Sequence, residues 1–263
     1  MDVAGAIDTN SRGPSPRDSI IYPESDHMGE SGLQNWVREL MMGLLRSFFA
    51  ETEDRPMLVG GNQFFYLREG DTELRIAPDV YVIEDEPGPL AQVKSWRLWE
   101  HEGKGPALAI EVVSDEYDKD YDPALLARYQ QLGVRELVRY DPDFYLHPRA
   151  LKYGPRRLLT HWVRSESGML VERPLASKRS AKSALYDFWF VHEQHRDLRL
   201  GVGPQGRSLW PTEGEARQAE AKAREEEAKA RQAEAKAREE EAKARQAEAK
   251  AREEEAKARQ AEA

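Results

Sequence analysis

The sequence predicts a mixed α/β domain, in which a first helix lies across a sheet, followed by a long charged helix. Three observations support this fold class. An apolar stripe at helical spacing comes first, short apolar runs typical of strands follow it, and a strand, a helix and another strand then fall within about 35 residues. The end of the chain is a repeat of strong helix formers, which favours one long helix.

Composition excludes several classes of protein. The 263-residue chain has a net charge of −9 and no cysteine, which excludes disulfide scaffolds, thiolate zinc sites and cysteine nucleophiles. A chain without cysteine suits a reducing compartment, and we expect a cytoplasmic protein. No apolar run approaches the ~20 residues that a bilayer-spanning helix needs, so no membrane association is expected.

The negative charge lies almost entirely before the C-terminal repeat, because each complete repeat carries as many basic as acidic residues. An acidic domain argues against broad, nonspecific affinity for nucleic acid, which depends on lysine and arginine neutralising phosphates. It remains compatible with a local basic groove.

Composition also divides the chain into four parts. Residues 1–20 lack the apolar region of a secretion signal and are predicted to be disordered. Residues 21–200 carry the aliphatic and aromatic residues of one folded domain. The glycine and proline content of residues 201–214 predicts a linker, and residues 215–263 are predicted to form the repeat helix.

The first helix is predicted to begin at Ser31, which has capping-box spacing to Gln34. Its core-facing stripe consists of Leu33, Trp36, Val37, Leu40, Met41, Leu44, Leu45, Phe48 and Phe49. Glu30 stands at the entrance of this helix. It is either a solvated acid favoured by the helix dipole or a member of a functional site.

Several strands are predicted after this helix. They cover residues 57–67 with a bend at Gly60-Gly61, then 73–84, 107–113, 136–140, 144–153, 158–163 and 185–191. Residues 85–105 read as a long loop, and loops of this length are often functional. A second helix is predicted from Asp122-Pro123, an N-cap acid before proline, to Gly133.

The unit ARQAEAKAREEEAK repeats from Ala216 to the end, with Glu-to-Lys and Glu-to-Arg pairs at i,i+4. The heptad seam is poor, because its d positions alternate between Ala219 and Glu226. Alanine buries little area, so a single solvated helix is favoured over a coiled coil. Both a spacer and a partner-binding helix remain open, as does a homodimer.

Two strand-like runs each carry one misplaced carboxylate. Asp79 lies just inside the run that begins IAPDVYVI, and Glu111 lies in the middle of ALAIEVV. A carboxylate on a buried strand is costly unless it is paired or bound to a metal. Two on neighbouring strands would offer the oxygen ligands that Mg²⁺ prefers. The alternative is structural: Asp79 caps a turn after Pro78, and Glu111 pairs with an arginine.

Other catalytic patterns are missing from the sequence. The six histidines show no H-E-x-x-H or similar ligand spacing. There is no glycine-rich phosphate loop, and Ser114 follows a strand without a G-x-S-x-G elbow, so a serine hydrolase is not expected.

The runs RIAPDVYVIEDEP, SWRLWEHEGKGPALAIEVVSDEYDKDYD and LARYQQLGVRELVRYDPD resemble the Uma2 family of putative restriction endonucleases, which is similar to the PD-(D/E)xK nuclease superfamily. The resemblance extends from about Tyr22 to about Asp143, and more weakly to about Val191. It implies a restriction-endonuclease-like fold, with a mixed β-sheet flanked by helices, and DNA cleavage that depends on Mg²⁺ or Mn²⁺. By motif, Asp79 and Glu111 match the metal-binding acids, and Glu30 matches a third, helix-borne acid.

The chain departs from this resemblance at the lysine. The two positions where the pattern expects lysine hold Val113 and Leu125. Lys119 and Arg128 are the candidate substitutes. Two hypotheses follow: a Mg²⁺-dependent endonuclease of reduced activity, or a catalytically degenerate nuclease fold that serves as a binding or assembly module with a helical spacer.

Overall fold

The computed structural model describes residues 32–86, 94–114, 117–145 and 152–261. It divides into two compact units, Met1–Trp210 and Pro211–Ala263. None of the helices in the described ranges combines the length and apolar character that crossing a membrane requires. The predicted disordered segment 1–20, the capping residue Ser31 and Glu30 lie outside the described residues.

The described part of the first unit contains three α-helices and thirteen short strands. Its helices are α1 (Gly32–Thr52), α2 (Tyr117–Asp120) and α3 (Pro123–Leu132). Its strands are β1 (Met57–Gly60), β2 (Phe65–Tyr66), β3 (Arg75–Ile76), β4 (Val80–Glu84), β5 (Trp96–Arg97), β6 (Leu108–Val112), β7 (Glu136–Tyr140), β8 (Leu159–Arg164), β9 (Leu170–Glu172), β10 (Ser180–Lys182), β11 (Trp189–His192), β12 (Leu198–Val202) and β13 (Ser208–Leu209).

The central sheet has six strands in the order β1-β4-β6-β7-β8-β9. Among the described strands of this sheet, only β6 and β7 pair in parallel, and α2 and α3 lie in the connection between them, as the strand-helix-strand spacing predicts. The predicted caps of α3 are confirmed, because the Asp122 carboxylate accepts from the Ala124 N–H and Gly133 adopts a left-handed conformation with φ 85°. The mixed α/β fold class is confirmed and is restriction-endonuclease-like.

Each face of the central sheet is covered by different elements. One face packs on α1 and on a four-stranded antiparallel sheet, β10-β11-β12-β13, through an apolar cluster that includes Leu45, Phe48, Val82, Ile110, Val138, Phe188 and Phe190. The other face packs on α3 through Tyr81, Ala109, Tyr129, Leu132 and Leu137. Because side chains alternate along a strand, every second residue faces α3.

A buried polar cluster joins β7 to the segment before β11. Glu136 is fully buried, and its carboxylate lies 2.7 Å from His161 Nε2 and accepts from Ser183 Oγ at 2.8 Å. The Ala184 N–H donates to the same carboxylate at 2.9 Å. All of these partners satisfy a carboxylate whose burial would otherwise be costly, so the cluster is structural.

Several predicted strands differ from the structure. The predicted strand 57–67 is divided at Gly61 and Asn62, because Asn62 turns the chain with φ 59°. The predicted strand 73–84 is divided at Pro78, which has no N–H to donate to a ladder. Residues 144–145 and 152–153 contain no strand; the other residues of the predicted strand 144–153 lie outside the described ranges.

The stretch 201–214, for which glycine and proline predict a linker, is largely structured. Gly201 and Val202 belong to β12, and Ser208 and Leu209 form β13. Gly201 and Gly206 lie so close that a Cβ on Gly201 would stand 2.4 Å from the Gly206 carbonyl oxygen. These glycines are needed because the two backbone segments approach closely, and they do not mark a flexible linker.

The second unit consists of one helix, α4 (Glu213–Ala261). The side chains described along this helix are exposed, and the predicted i,i+4 ion pairs are formed. The Nζ of Lys229 lies 2.6 Å from Glu225, and the Arg231 guanidinium lies 2.5 Å from Glu227. Each such pair adds only a few tenths of a kcal/mol, but the repeat supplies many of them.

Candidate active site

The candidate site lies on the α3 face of the central sheet. Val80 of β4 pairs with Ile110 of β6, so continuing this register by one residue sets Asp79 opposite Glu111. Glu111 in turn pairs with Arg139 of β7. Side chains of directly paired residues point to the same face, so two acids and one arginine stand in a row across three neighbouring strands.

Asp79 is held by groups from two other elements. It is 5% exposed, and its carboxylate accepts the Val112 N–H at 2.7 Å and the Gln34 Nε2 at 3.0 Å. The pairing of β4 with β6 ends at Val80 and Ile110, and beyond this pair the Val112 N–H donates to the Asp79 carboxylate instead of to a backbone carbonyl. Gln34 comes from the first turns of α1, so this helix contributes directly to the site.

Asp79 and Glu111, which we call the acidic pair, lie opposite each other on neighbouring strands, and each carboxyl group affects the pKa of the other. Burial raises the pKa of Asp79 to about 7. Burial, followed by the charge of Asp79, raises the pKa of Glu111 well above its usual range. Two close carboxyl groups destabilise each other when both ionise, unless a cation binds between them.

A third carboxylate next to the acidic pair was not identified from the sequence. Asp120, at the end of α2, is 8% exposed and accepts the backbone N–H and the hydroxyl of Ser114 at 2.7 and 2.8 Å. Burial raises the pKa of Asp120, and its charge raises the pKa of both members of the acidic pair. Within the acid-rich run SDEYDKDYD, no sequence feature separates Asp120 from the other acidic residues.

The acidic pair opens into a cavity of about 500 Å³, which we call the larger cavity. Its charged lining residues are Glu73, Arg75, Asp79, Glu111, Lys119, Asp120, Asp122 and Arg128. Five carboxylates thus face three cations, and this excess of negative charge favours a bound cation. The structure brings four of the predicted site residues into this cavity, namely Asp79, Glu111, Lys119 and Arg128. Lys119 and Arg128 are exposed, and Glu30 lies outside the described residues.

Arg139 is a further charged residue of the site that was not identified from the sequence. Its guanidinium carbon lies 3.8 Å from the centre of the Tyr121 ring and 5.0 Å from that of Trp162, and it donates to the Asp120 carbonyl at 3.1 Å. Its charge lowers the pKa of Glu111, against the larger effect of burial. The sequence shows Glu136–Tyr140 only as a strand, and the register that sets Arg139 beside Glu111 is a tertiary feature.

The donor set of the site fits a hard divalent cation. Among the described residues, no group of three or more histidine, cysteine or acidic side chains is arranged to hold a metal ion. Mg²⁺, however, commonly uses only one or two protein carboxylates and completes its octahedron with water and phosphate oxygens. The acidic pair supplies two such oxygen ligands, and the larger cavity leaves room for the other ligands.

The sequence model of the Uma2 family, described as putative restriction endonuclease, matches residues 26–171. This range is more than half of the 263-residue chain, and it includes both members of the acidic pair, Asp120 and Arg139. No curated protein matches the chain. The matched range ends within β9, so α4 lies beyond it.

Proposed function

The chain belongs to the Uma2 family of putative restriction endonucleases, and from this premise we propose that it hydrolyses DNA phosphodiester bonds in a Mg²⁺-dependent reaction, which Mn²⁺ would also support. The family suggests a nuclease with DNA as its substrate. The observation that carries the metal dependence is the acidic pair, in which two buried carboxyl groups lie opposite each other on neighbouring strands, where one divalent cation would satisfy both.

Each residue of the site has a part in this proposal. Asp79 and Glu111 would hold the cation, and Gln34 and the Val112 N–H would fix the orientation of Asp79. When bound, Mg²⁺ polarises the scissile phosphate and lowers the pKa of the attacking water. Lys119 and Arg128 would bind phosphates of the DNA backbone, because both are exposed cations in the larger cavity.

The direct test is a calorimetric titration of Mg²⁺ and Mn²⁺ at pH 8. We expect the parent to bind either ion and Asp79→Asn to lose binding at least tenfold, since one of two charged ligands is gone. Glu73→Gln is the matched control, because Glu73 is a carboxylate of the same cavity with a side chain that is 90% exposed. Equal binding by the parent and Asp79→Asn, or no binding by the parent, would contradict the proposal.

A second candidate function belongs to a different class. Val113 and Leu125 leave the site without a lysine at either expected position, and this favours a degenerate nuclease fold that acts as a binding or assembly module. Plasmid cleavage by the parent and by Leu125→Lys separates the two candidates. Cleavage by the parent removes the module hypothesis, whereas cleavage by Leu125→Lys alone identifies an enzyme that has lost its activity.

A further inference from the structure

The site contains three buried carboxyl groups, which together carry more negative charge than one divalent cation neutralises when all three are ionised. Asp79, Glu111 and Asp120 are all less than 10% exposed, and the charges of Asp79 and Asp120 both act on Glu111. Three carboxylates and one divalent cation would leave one negative charge, which would repel an incoming phosphate. A fixed positive charge next to these three carboxylates would offset the remaining negative charge and leave Lys119 and Arg128 for the phosphate.

Arg139 is placed to supply that charge. The β6–β7 register sets it beside Glu111, and its guanidinium donates to the carbonyl oxygen of Asp120. We propose that Arg139 is the internal counter-charge of the carboxylate site, a positioning residue that offsets one carboxylate so that the site takes a single divalent cation together with a DNA phosphate. This inference rests on the proposed nuclease function and extends it.

The surroundings of Arg139 fix its position. Its guanidinium packs on the rings of Tyr121 and Trp162. Tyr121 is itself held, because its hydroxyl donates to the Asp141 carboxylate at 3.1 Å and accepts the Arg157 N–H at 3.1 Å. A cation held in this way needs no rearrangement when charge develops during the reaction, and this is the condition under which electrostatic stabilisation is strongest.

Arg139 lies on a different side of the carboxylates from Lys119 and Arg128. It lines a second, smaller cavity of about 220 Å³, which Glu111, Asp120 and Leu125 also line. Lys119 and Arg128 line the larger cavity and are absent from the lining of the smaller one. Glu111 and Asp120 thus separate the two cavities. The cations proposed to bind DNA phosphates, Lys119 and Arg128, line the larger cavity, and Arg139 lines the smaller one.

The Nε–H of Arg139 has no hydrogen-bond partner among the described residues, although it is buried. A buried guanidinium retained only for packing would be expected to have its donors satisfied. The free donor and the unfavourable burial of the charge indicate that the positive charge is kept for its effect on the neighbouring carboxylates.

Substitution of Arg139 with methionine tests the inference, because methionine keeps an unbranched stem between the two rings and removes the charge. We expect Arg139→Met to bind Mg²⁺ about tenfold more tightly, since a like charge close to the cation is gone. We expect DNA cleavage by the same variant to fall about a hundredfold, because the phosphate then meets uncompensated negative charge. A merely structural defect would weaken both.

A second test returns a positive charge to the site at another position and measures DNA cleavage. Leu125 lines both cavities, so Leu125→Lys in the Arg139→Met background returns a cation to the boundary between the two cavities, and we expect at least a tenfold recovery of cleavage. Arg135→Met is the matched control for loss of an arginine, because Arg135 pairs with Glu84 away from both cavities. Its metal affinity and cleavage should equal those of the parent.

The outcomes separate this inference from the proposed function. Mg²⁺ affinity that is equal or weaker in Arg139→Met, or undiminished cleavage, overturns the inference. If Arg139→Met fails to fold, Arg139→Lys replaces it, and we expect parental metal affinity with cleavage within about tenfold of the parent; loss of both in a folded Arg139→Lys also overturns the inference. A parent that binds Mg²⁺ but cleaves no DNA defeats the proposed function, whereas tighter binding by Arg139→Met would still support the counter-charge.

Discussion

At the scale of single residues, the acidic pair combines an energetic cost with a chemical capability. Asp79 and Glu111 are 5% and 9% exposed, and the residues next to them along their strands, Val80, Ile110 and Val112, are buried and apolar. Burial of ionised carboxyl groups is unfavourable, and a fold retains them only with hydrogen bonds, counter-charges or a metal. All three means of compensation converge on this pair, through Gln34 and Val112, through Arg139, and through the cation that we propose.

The raised pKa values of the acidic pair predict how stability depends on pH. Asp79 has a pKa of about 7 in the folded protein, against an ordinary 3.8, and the pKa of Glu111 is raised in the same direction. Their unfolded forms therefore lose protons more readily than the folded protein. Without divalent ions, their contribution to stability is fully present below about pH 4 and falls as the pH rises, for Asp79 through about 7 and for Glu111 through its own raised pKa.

Urea denaturation in EDTA at pH 5 and pH 8, with the parent and Asp79→Asn, measures this effect. The loss of stability between the two pH values should be larger in the parent, because Asp79→Asn removes one titrating group and its repulsion of Glu111. Excess Mg²⁺ should restore the parent at pH 8, since a ligand that binds only the folded state stabilises it. Identical pH dependence in both proteins would contradict the raised pKa values.

The sequence predicts only part of the site at this scale. Asp79 and Glu111 are recognisable because an acid inside an apolar strand is conspicuous. Asp120 cannot be distinguished in the sequence from the acidic residues around it. In the structure its buried carboxylate accepts two hydrogen bonds from Ser114, which lies six residues earlier. Arg139 is recognisable only once the pairing of β6 with β7 is known, because strand register is a property of the folded sheet.

At the scale of elements, the close approach of two backbone segments places Asp79. A Cβ on Gly61 would stand 2.2 Å from the Asp79 carbonyl oxygen. The Asn62 N–H donates to the Pro78 carbonyl at 2.8 Å, beside this contact. The turn after β1 is thus packed directly on the segment that carries the first metal-binding acid of the proposed site.

Gly61→Ala should therefore damage both stability and the site. We expect a loss of about 1–3 kcal/mol, because the backbone must move to relieve the overlap, and a reduced affinity for Mg²⁺ as Asp79 shifts. Thermal unfolding and calorimetry on the same preparations give both values. Gly43→Ala is the matched control, because a Cβ there meets nothing within 4 Å in the middle of α1, and alanine should stabilise that helix by up to about 1 kcal/mol.

A Gly61→Ala variant with unchanged stability and metal affinity would show that the backbone relieves this contact without an energetic penalty.

Some secondary-structure elements were predicted correctly from the sequence and others were not. α1, β6, α3 and β7 follow from periodicity and from caps within the sequence. The divisions at Gly61 and Pro78, and the packing of β12 and β13, depend on contacts between distant segments, so local patterns gave longer strands and a linker.

At the scale of the whole molecule, the two units differ in what stabilises them. The first unit has two apolar clusters, one on each face of the central sheet. The second unit, α4, is a 49-residue helix that buries none of its described side chains and depends on helix propensity and i,i+4 ion pairs. The length of α4 and the exposure of its side chains could be predicted from the repeat, because helix propensity and i,i+4 pairing depend only on nearby residues.

The tail gives the last prediction. A coiled coil requires a continuous apolar seam, and α4 offers alanine at a positions with glutamate at every second d position, such as Glu226. We therefore expect sedimentation velocity to give the same oligomeric state for the full chain and for a chain ending at Trp210, across a hundredfold range of concentration. Mg²⁺ affinity should also be equal, because every residue that lines the two cavities precedes Trp210. An oligomer that forms only with the full chain would instead identify α4 as an association helix, since alanine-rich seams can pair only when additional contacts compensate for the small area they bury.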